Sequence, residues 1–276
     1  MAITAAQVNE LRQKTGVGMM ECKKALVACD GNTEAAIEYL RKAGIAKAAK
    51  KAGRTATEGK FVVASKPGTT VLCEVLCETD FVAKTKEFID LANAAAQKAL
   101  NDLTEDGDVS AKVAEAMSDD LKVLIAKLGE NMHIRRVIRW NTTGKIGTYL
   151  HTGRPYAAMV EVDGGCADDL LNSICLHVCA NSPSYIAPAD VPAELIAKEK
   201  EIAAALPEMQ GKPAQMLDKI LDGKINKWYK EICLTQQPWI DDEKSCLAKV
   251  APNVQVKRFV RFLVGEELPG EAPAEA

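Results

Sequence analysis

The chain is poor in aromatic residues and in histidine, and it lacks long apolar runs. Aromatic side chains make up 5% of its 276 residues, and there are three histidines. No uninterrupted apolar segment reaches the roughly 20 residues that a membrane-spanning helix needs. The start of the chain lacks the basic and then apolar pattern of a signal peptide. With a net charge of -3, nothing draws the whole chain to nucleic acid or membrane. We therefore expect a cytoplasmic protein with no membrane partner.

Paired redox cysteines are also missing, although cysteine itself is abundant. None of the nine cysteines forms a Cys-x-x-Cys motif. Cys73 and Cys77 share one face of a predicted strand, and Cys175 and Cys179 share one face of a predicted helix. A zinc site would need further Cys or His ligands nearby, and none is evident. The pattern favours reduced, core-packed thiols without a metal or other cofactor. A redox or metal enzyme is the rival interpretation.

Motifs for nucleotide binding and hydrolysis are incomplete or absent. The nearest phosphate-loop fragment is TGKI at 143–146, but Arg139 and Ile146 stand where that loop needs Gly and Ser or Thr. Neither Gly-x-Ser-x-Gly nor His-Glu-x-x-His occurs. The histidines are scattered, and an isolated histidine is more often structural than catalytic. We expect no catalytic residues, no direct nucleotide binding and no enzymatic activity of the chain itself.

The chain predicts an α+β fold that begins with a small helical module at 1–53. Thr4 and Gln7 form the pattern of a capping box at the first helix. The predicted core face of the second helix carries Met19, Cys22, Leu26 and Cys29. Ile37 and Leu40 supply the apolar face of the third helix.

Strand and helix patterns then alternate, which suggests a two-part α+β core. Strands are predicted around a turn at 67–68 and at 134–140, 145–151 and 156–162, with helices at 81–101, 110–129 and 167–180. The predicted division is a core N-subdomain at 54–140 and a core C-subdomain at 141–276. The latter contains an inserted antiparallel helical hairpin at about 187–230 and an acidic tail at 265–276.

The most informative run lies where an apolar strand pattern ends and a helical pattern begins. There Asp80 and Phe81 stand side by side. An acid at a helix start is ordinary capping chemistry, whereas a Phe at the first helical position can project its ring beyond the helix end. From the residues alone a core role is favoured for Phe81, because Phe81, Phe88 and Leu91 share one face of a continuous helix.

Two long runs carry a resemblance to a known family. Residues 77–84 have the sequence CETDFVAK, and residues 11–26 have the sequence LRQKTGVGMMECKKAL. In this order and at this distance they resemble the signatures of bacterial elongation factor Ts, the exchange factor for the translational GTPase elongation factor Tu. The resemblance covers nearly the whole chain. It implies a ubiquitin-associated-like head, a two-part core and an inserted helical hairpin, whereas the acidic tail departs from family members that end in a helix.

The resemblance implies guanine-nucleotide exchange on elongation factor Tu, in its GDP form and its nucleotide-free form. It also implies a homodimer within a two-plus-two complex. The exchange step is assigned by resemblance to Thr79, Asp80, Phe81 and Val82. In that assignment Phe81 displaces a segment that supports the partner's magnesium site, and Asp80 holds it there by polar contact.

Five further residues are secondary candidates for contact with the partner. Met20 and Lys23 lie off the predicted core face, and Met19 suits either side because flexible Met serves both cores and interfaces. Leu128, at a helix end, suits the core nearly as well as a contact. His151 is included because its surroundings, residues 148–151, resemble a family contact region.

Two rival functions remain open at this point. One is a protein-interaction scaffold with a ubiquitin-associated-like head and no exchange activity. The other is RNA binding through the basic stretch at 41–54, for which a solvated linker helix is the alternative. That stretch lacks interleaved aromatic residues, which argues against base stacking.

Overall fold

The computed structural model describes residues 3–152, 155–209 and 213–268, and these form two compact units. The first unit contains residues 3–141 and 263–268, and the second contains the described residues between 142 and 262. Both units combine helices with sheets, which confirms the predicted α+β class. Residues 263–268 belong to the first unit, although the division predicted from sequence assigned them to the last subdomain. The rest of the expected acidic tail, 269–276, lies outside the described residues.

The first unit begins with three helices that have their own small core: α1 (Ala5–Thr15), α2 (Met19–Ala28) and α3 (Thr33–Lys51). The predicted capping box is present, since Thr4 Oγ1 accepts from Gln7 N and Gln7 Oε1 accepts from Thr4 N. Gly16 ends α1 in the left-handed conformation, with φ of 66°, which glycine adopts without a steric penalty. The buried side chains of this core are Val8, Leu11, Cys22, Ala25, Leu26, Ala36 and Leu40.

Two predicted core positions of these helices were wrong. Met19 is 50% exposed and Ile37 is 38% exposed. The buried residues of α2 are Cys22, Ala25 and Leu26. Met19 shares the side of Leu26, seven residues later, but it lies in the first turn and stays half exposed. In α3 the small side chain of Ala36 is buried in place of Ile37, because closely packed helices favour a small residue at their contact.

The basic stretch is the continuation of α3 and packs on the rest of the unit. Arg41 Nη2 lies 2.6 Å from Asp119 Oδ2, and Lys51 Nζ donates to the carbonyl of Gly129. Ala48 is buried in the main core of the first unit. This part of α3 is therefore attached to the protein and is not a free linker.

The main sheet of the first unit is antiparallel and has the order β1-β2-β4-β3. Its strands are β1 (Glu58–Lys66), β2 (Thr69–Cys77), β3 (Gly107–Asp108) and β4 (Met132–Asn141). One face is covered by helices, namely α4 (Asp80–Ala83), α5 (Lys86–Asp102), α6 (Ser110–Ala116) and α7 (Ser118–Leu128). The central strand β2 is buried at every position, so its other face must be covered as well.

Residues 263–266 supply contacts to that other face. Glu74 of β2 is fully buried, and it accepts from Arg136 Nε at 2.5 Å and from Gly265 N at 3.1 Å. Arg136 also donates to Leu263 O at 2.8 Å and to the carboxylate of Glu266. A buried charge is tolerated when it is paired and hydrogen-bonded, and these contacts meet that requirement for Glu74.

The single helix predicted at 81–101 is two helices, and this corrects the core interpretation of Phe81. The helix is interrupted after α4, and a new helix, α5, begins at Thr85, whose side-chain hydroxyl accepts a hydrogen bond from Phe88 N at 3.3 Å. Phe88 and Leu91 are buried, but Phe81 is 79% exposed. The break turns Phe81 away from the face that Phe88 and Leu91 share. The helix predicted at 110–129 is likewise divided, at Met117.

The second unit is built around a three-stranded sheet with the order β5-β6-β9. In chain order its elements are β5 (Lys145–Leu150), β6 (Tyr156–Val162), α8 (Asp168–Asn181), α9 (Ala193–Ala204), α10 (Ala214–Ile232), β7 (Pro238–Trp239), β8 (Asp242–Cys246), α11 (Leu247–Val250) and β9 (Val256–Leu263). One core joins apolar side chains of β6, α8 and α11. Within it, His177 of α8 stacks on Trp239 and contacts Gln237.

Helices α9 and α10 pack on each other, with Lys200 Nζ 3.1 Å from Asp222 Oδ1. The helical spacing of Leu195, Ile202 and Leu206 predicts one inward face, but Leu195 and Ile202 on α9 are 41% and 53% exposed, and Leu206, just after α9, is 37% exposed. Ala203 and, on α10, Ile225 are buried instead. The small side chain of Ala203 allows α9 to approach α10 closely at this point.

Candidate protein-binding site

The run at 77–84 forms a sharp turn from β2 into the one-turn helix α4. Thr79 is the N-cap, and its Oγ1 accepts from Val82 N at 3.4 Å. Ala83 is buried, and Val82 packs against the main core. The last residues of α4 are therefore anchored, and its first residues stand at the surface.

Phe81 is the most exposed of the large apolar side chains described in the structure, at 79%. Single exposed apolar residues are common. A ring presented by a short, anchored helix differs, because its position is fixed before any partner binds. Aromatic side chains, Phe among them, are enriched at the centres of protein interfaces.

Asp80 adds a charge next to this ring. Lys84 Nζ lies 2.6 Å from Asp80 Oδ2, and this hydrogen bond is the main reason that the pKa of Asp80 lies below its ordinary value. The carboxylate is ionised at neutral pH and half exposed. The tip of α4 thus offers an anion and an aromatic face side by side.

A second turn, between α7 and β4, supports the first one. Gly129 ends α7 with φ of 85°, and the chain then enters β4 through Glu130 and Asn131. Because β2 and β4 are neighbouring strands, with Cys77 opposite Met132, the two turns lie side by side.

Glu130 and Glu78 link the two turns reciprocally. Glu130 Oε2 accepts from Glu78 N at 3.1 Å and from Thr79 N at 3.0 Å, and its Oε1 accepts from Thr79 Oγ1 at 2.6 Å. Glu78 Oε1 accepts from Asn131 N at 2.7 Å. Sequence reasoning missed both glutamates as supporting residues. The pairing of β2 with β4 was the signal needed to find them.

The other candidates of the first unit lie on α2 and at the end of α7. Met20 is 64% exposed, and Lys23 is exposed on the same side of α2. Val27, which sequence reasoning missed, is 58% exposed. Its spacing of seven from Met20 is the signal that places both on one helical face. Leu128 is half-buried and packs against the main core.

His151 belongs to the second unit and is exposed beside a cleft of about 350 Å³. Tyr149 Oη lies 3.0 Å from its Nδ1. Across the cleft, the Arg261 guanidinium sits 4.6 Å from the centre of the Tyr156 ring. The cleft therefore combines aromatic rings with a cation.

The cysteines lie mostly within the cores and are all free thiols. Burial raises the pKa of Cys73, Cys77 and Cys175 to about 12, so these three are protonated and poorly nucleophilic at neutral pH. In the described ranges, no three His, Cys, Asp or Glu side chains are grouped as metal ligands. The helices of those same ranges include none with the length and apolar character needed to cross a bilayer.

An exposed aromatic ring and an ionised carboxylate lie side by side on a turn that Glu130 and Glu78 support. Such a surface is typical of the class of proteins that bind other proteins. Comparison with known proteins shows the family to which the chain belongs. The family model described as Elongation factor TS matches residues 78–266.

Curated relatives extend the match over nearly the whole chain. Elongation factor Ts of Alcanivorax borkumensis is 42% identical over 96% of this chain and 95% of its own length. The protein of the same name from Thioalkalivibrio sulfidiphilus is 44% identical, with 96% and 93% covered. That of Idiomarina loihiensis is 42% identical, with 96% and 92% covered.

The chain belongs to the elongation factor Ts family. It is a nucleotide-exchange factor for elongation factor Tu in translation elongation, and it acts on that GTPase without being an enzyme in itself. The alternative functions, RNA binding and a scaffold without exchange activity, are not favoured by these relatives. The contacts of Arg41 and Lys51 within the protein also reduce the basic surface that RNA binding needs.

Proposed function

We propose that the chain releases GDP by inserting the tip of α4 into the GTPase domain of elongation factor Tu. Phe81 enters the partner and displaces the segment that supports its magnesium site. The observation that carries this proposal is the 79% exposure of Phe81 on a helix whose other end is anchored in the core. A pre-positioned ring loses little conformational freedom on binding, so more of its contact energy is available to displace the segment.

The physical requirement is modest because exchange needs only a shift between two states. A GTPase holds its nucleotide through backbone amides, a lysine and a magnesium ion that bridges to phosphate. A factor that binds best when some of these contacts are broken weakens nucleotide binding. By linkage, nucleotide weakens binding of the factor by the same ratio. We therefore propose that the chain binds both the GDP form and the nucleotide-free form of elongation factor Tu.

Each residue of the turn has a distinct part in this proposal. Thr79 shapes the start of α4, and Val82 fixes its end against the core. Asp80 exchanges its contact with Lys84 for a polar contact with the partner. This exchange is inexpensive because exposed ion pairs contribute little to stability.

The remaining candidates extend the proposed interface. Met19, Met20 and Lys23, continued by Val27, form an exposed strip on α2 that suits docking of a partner helix. Leu128, which packs against the main core at the end of α7, is a further proposed contact. His151 and its aromatic cleft provide a contact from the second unit.

The proposal includes the finer architecture and assembly that the family resemblance implies. Residues 1–53 form a ubiquitin-associated-like head, residues 54–141 with 263–268 form the first core part, and residues 142–262 form the second. Within the second part, α9 with α10 forms an antiparallel hairpin at about 187–230. The protein acts in the cytoplasm, as a homodimer within a two-plus-two complex with elongation factor Tu.

The test is stopped-flow release of a fluorescent GDP from elongation factor Tu. Phe81→Ala should slow release at least about tenfold at saturating exchange factor, because the displaced state loses its stabilising contact. Asp80→Asn keeps the shape and most of the capping ability but removes the charge, so it should slow release less. Val123→Ala is the matched control, since Val123 is 46% exposed on α7 and is outside the proposed contact. Release by Phe81→Ala at the wild-type rate would refute the insertion mechanism.

A further inference from the structure

Glu130 contacts the start of α4 more extensively than any capping interaction within α4 does. It accepts hydrogen bonds from two backbone N–H groups and one hydroxyl, at 3.1, 3.0 and 2.6 Å. Hydrogen bonds to a charged acceptor are stronger than neutral ones. The internal cap from Val82 N to Thr79 Oγ1 is long, at 3.4 Å.

A helix of one turn cannot hold its own direction, because its few hydrogen bonds do not offset the entropy of nucleation. The direction of α4 is therefore set by anchors at its ends. Val82 and Ala83 provide one in the main core. Glu130 provides the other through Thr79, and Phe81 lies between the two.

The anchor at Glu130 is itself held in place. The amide of Asn131 donates to Glu78 at 2.7 Å, and the side chain of Asn131 donates to Arg54 O at 2.6 Å. Glu78 also lies 3.5 Å from Arg54 Nη1. The turn that carries Glu130 is thus tied both to the site and to the segment after α3.

We propose that Glu130 is a positioning residue for nucleotide exchange, which aims Phe81 by holding Thr79 and does not itself bind elongation factor Tu. This inference rests on the insertion mechanism proposed above. It makes a separate prediction, because a residue that acts only through Phe81 has no effect on exchange once the ring of Phe81 is removed.

The first measurement is the rate of GDP release as a function of exchange-factor concentration. Glu130→Ala should lower the plateau rate about ten- to a hundredfold, which is typical when a reacting group is misplaced by about 1 Å. The half-saturating concentration should stay within about twofold of wild type, because docking contacts are kept. Glu130→Gln should restore most of the rate, since its carbonyl can accept from both backbone N–H groups while its amide faces Thr79 Oγ1.

The second measurement is a double-mutant cycle between Glu130→Ala and Phe81→Ala. If Glu130 acts through Phe81, the double variant should release GDP at the rate of Phe81→Ala alone. Equal slowing by Glu130→Ala in both backgrounds would overturn the inference while leaving the insertion mechanism intact. A wild-type rate for Phe81→Ala would instead overturn the insertion mechanism.

The third measurement needs no partner, because amide hydrogen exchange reports the local contact directly. Protection of the Glu78 and Thr79 amides should fall in Glu130→Ala and persist in Glu130→Gln and Phe81→Ala.

Glu115→Ala, at an exposed position of α6, is the control for an identical chemical change. If Glu130→Ala melts below the assay temperature, Glu130→Asp replaces it, because it keeps the charge and shortens the side chain. Lost protection together with a wild-type plateau rate would also refute the inference.

Discussion

Phe81 and Phe88 offer a matched pair for separating function from stability. They are seven residues apart, and a continuous helix would place both on the same face. The break at Thr85 instead leaves Phe81 79% exposed and buries Phe88 completely. The same substitution to alanine should therefore have opposite consequences at the two positions.

The structure sets the size of each effect. A buried Phe→Ala change costs about 3–5 kcal/mol through lost burial and the cavity left behind, and this applies to Phe88. At Phe81 only about a fifth of the side chain's surface of roughly 200 Å² is buried. At about 25 cal/mol per Å² of buried apolar surface, Phe81→Ala should therefore lower the free energy of unfolding by at most about 1 kcal/mol. For a protein of this size, the melting temperature should fall by about 6–20 °C for Phe88→Ala and by less than about 4 °C for Phe81→Ala.

The assay is thermal melting of each variant alone, followed by circular dichroism, together with GDP release at a temperature where both are folded. Phe81→Ala should be stable and slow in exchange. Phe88→Ala should be unstable, with an exchange rate per folded molecule much closer to wild type. If both variants lose the same stability, Phe81 is packed in the core and the reasoning from its exposure is wrong.

Three further expectations follow from the head, the cysteines and a buried histidine. Met20→Ala combined with Lys23→Ala should weaken binding of elongation factor Tu in calorimetry without lowering the melting temperature, because both side chains are exposed. Cys73 and Cys175, whose pKa values are raised to about 12 by burial, should resist alkylation near neutral pH until the protein unfolds, as peptide mass spectrometry can show. Burial lowers the pKa of His177, so the unfolded chain binds its proton more readily. The free energy of unfolding in urea should therefore keep this contribution above pH of about 6.5 and should decrease as the pH falls below that value.

Each of these expectations has a control. Arg12→Ala, at an exposed position of α1, should leave binding unchanged, and unaltered affinity of the Met20 and Lys23 variant would exclude α2 from the interface. Rapid labelling of Cys73 in the folded protein would show that the core around it opens. Replacing His177 by Gln should flatten the pH dependence, and an unchanged slope would assign that dependence to other groups.

Local signals made much of the fold predictable from the sequence. The capping box of Thr4 and Gln7 and the strand pair around the turn at 67–68 depend on residues a few positions apart, and both were correct. The position of the candidate site was also predictable, because Asp80 and Phe81 stand at a clear change of hydrophobic period.

The direction of Phe81 could not be predicted in this way. Helical spacing placed it with Phe88, and only the local cap at Thr85 interrupts that spacing. The support from Glu130 is harder still to foresee, since it lies 51 residues from Thr79 in the chain. It depends on β2 pairing with β4, and no local pattern encodes that pairing.

The contacts of Glu74 have a consequence for the order in which the protein is made. Glu74 and Arg136 are synthesised early, but their partners Leu263, Gly265 and Glu266 follow only after the whole second unit. At about 5–20 residues per second, the chain from 141 to 266 takes roughly 6–25 s to emerge. During that time the outer face of β2 and β4 lacks the backbone groups and the Glu266 carboxylate that hydrogen-bond to Glu74 and Arg136.

The first unit therefore cannot cover the outer face of its sheet while the ribosome is still translating the second. We expect released chains truncated before residue 263 to expose Glu74 and Arg136 to water and to be digested more readily by protease than the chain that includes residues 263–268. A factor that serves translation thus has a first unit that is covered on both faces of its sheet only after its second unit has been translated.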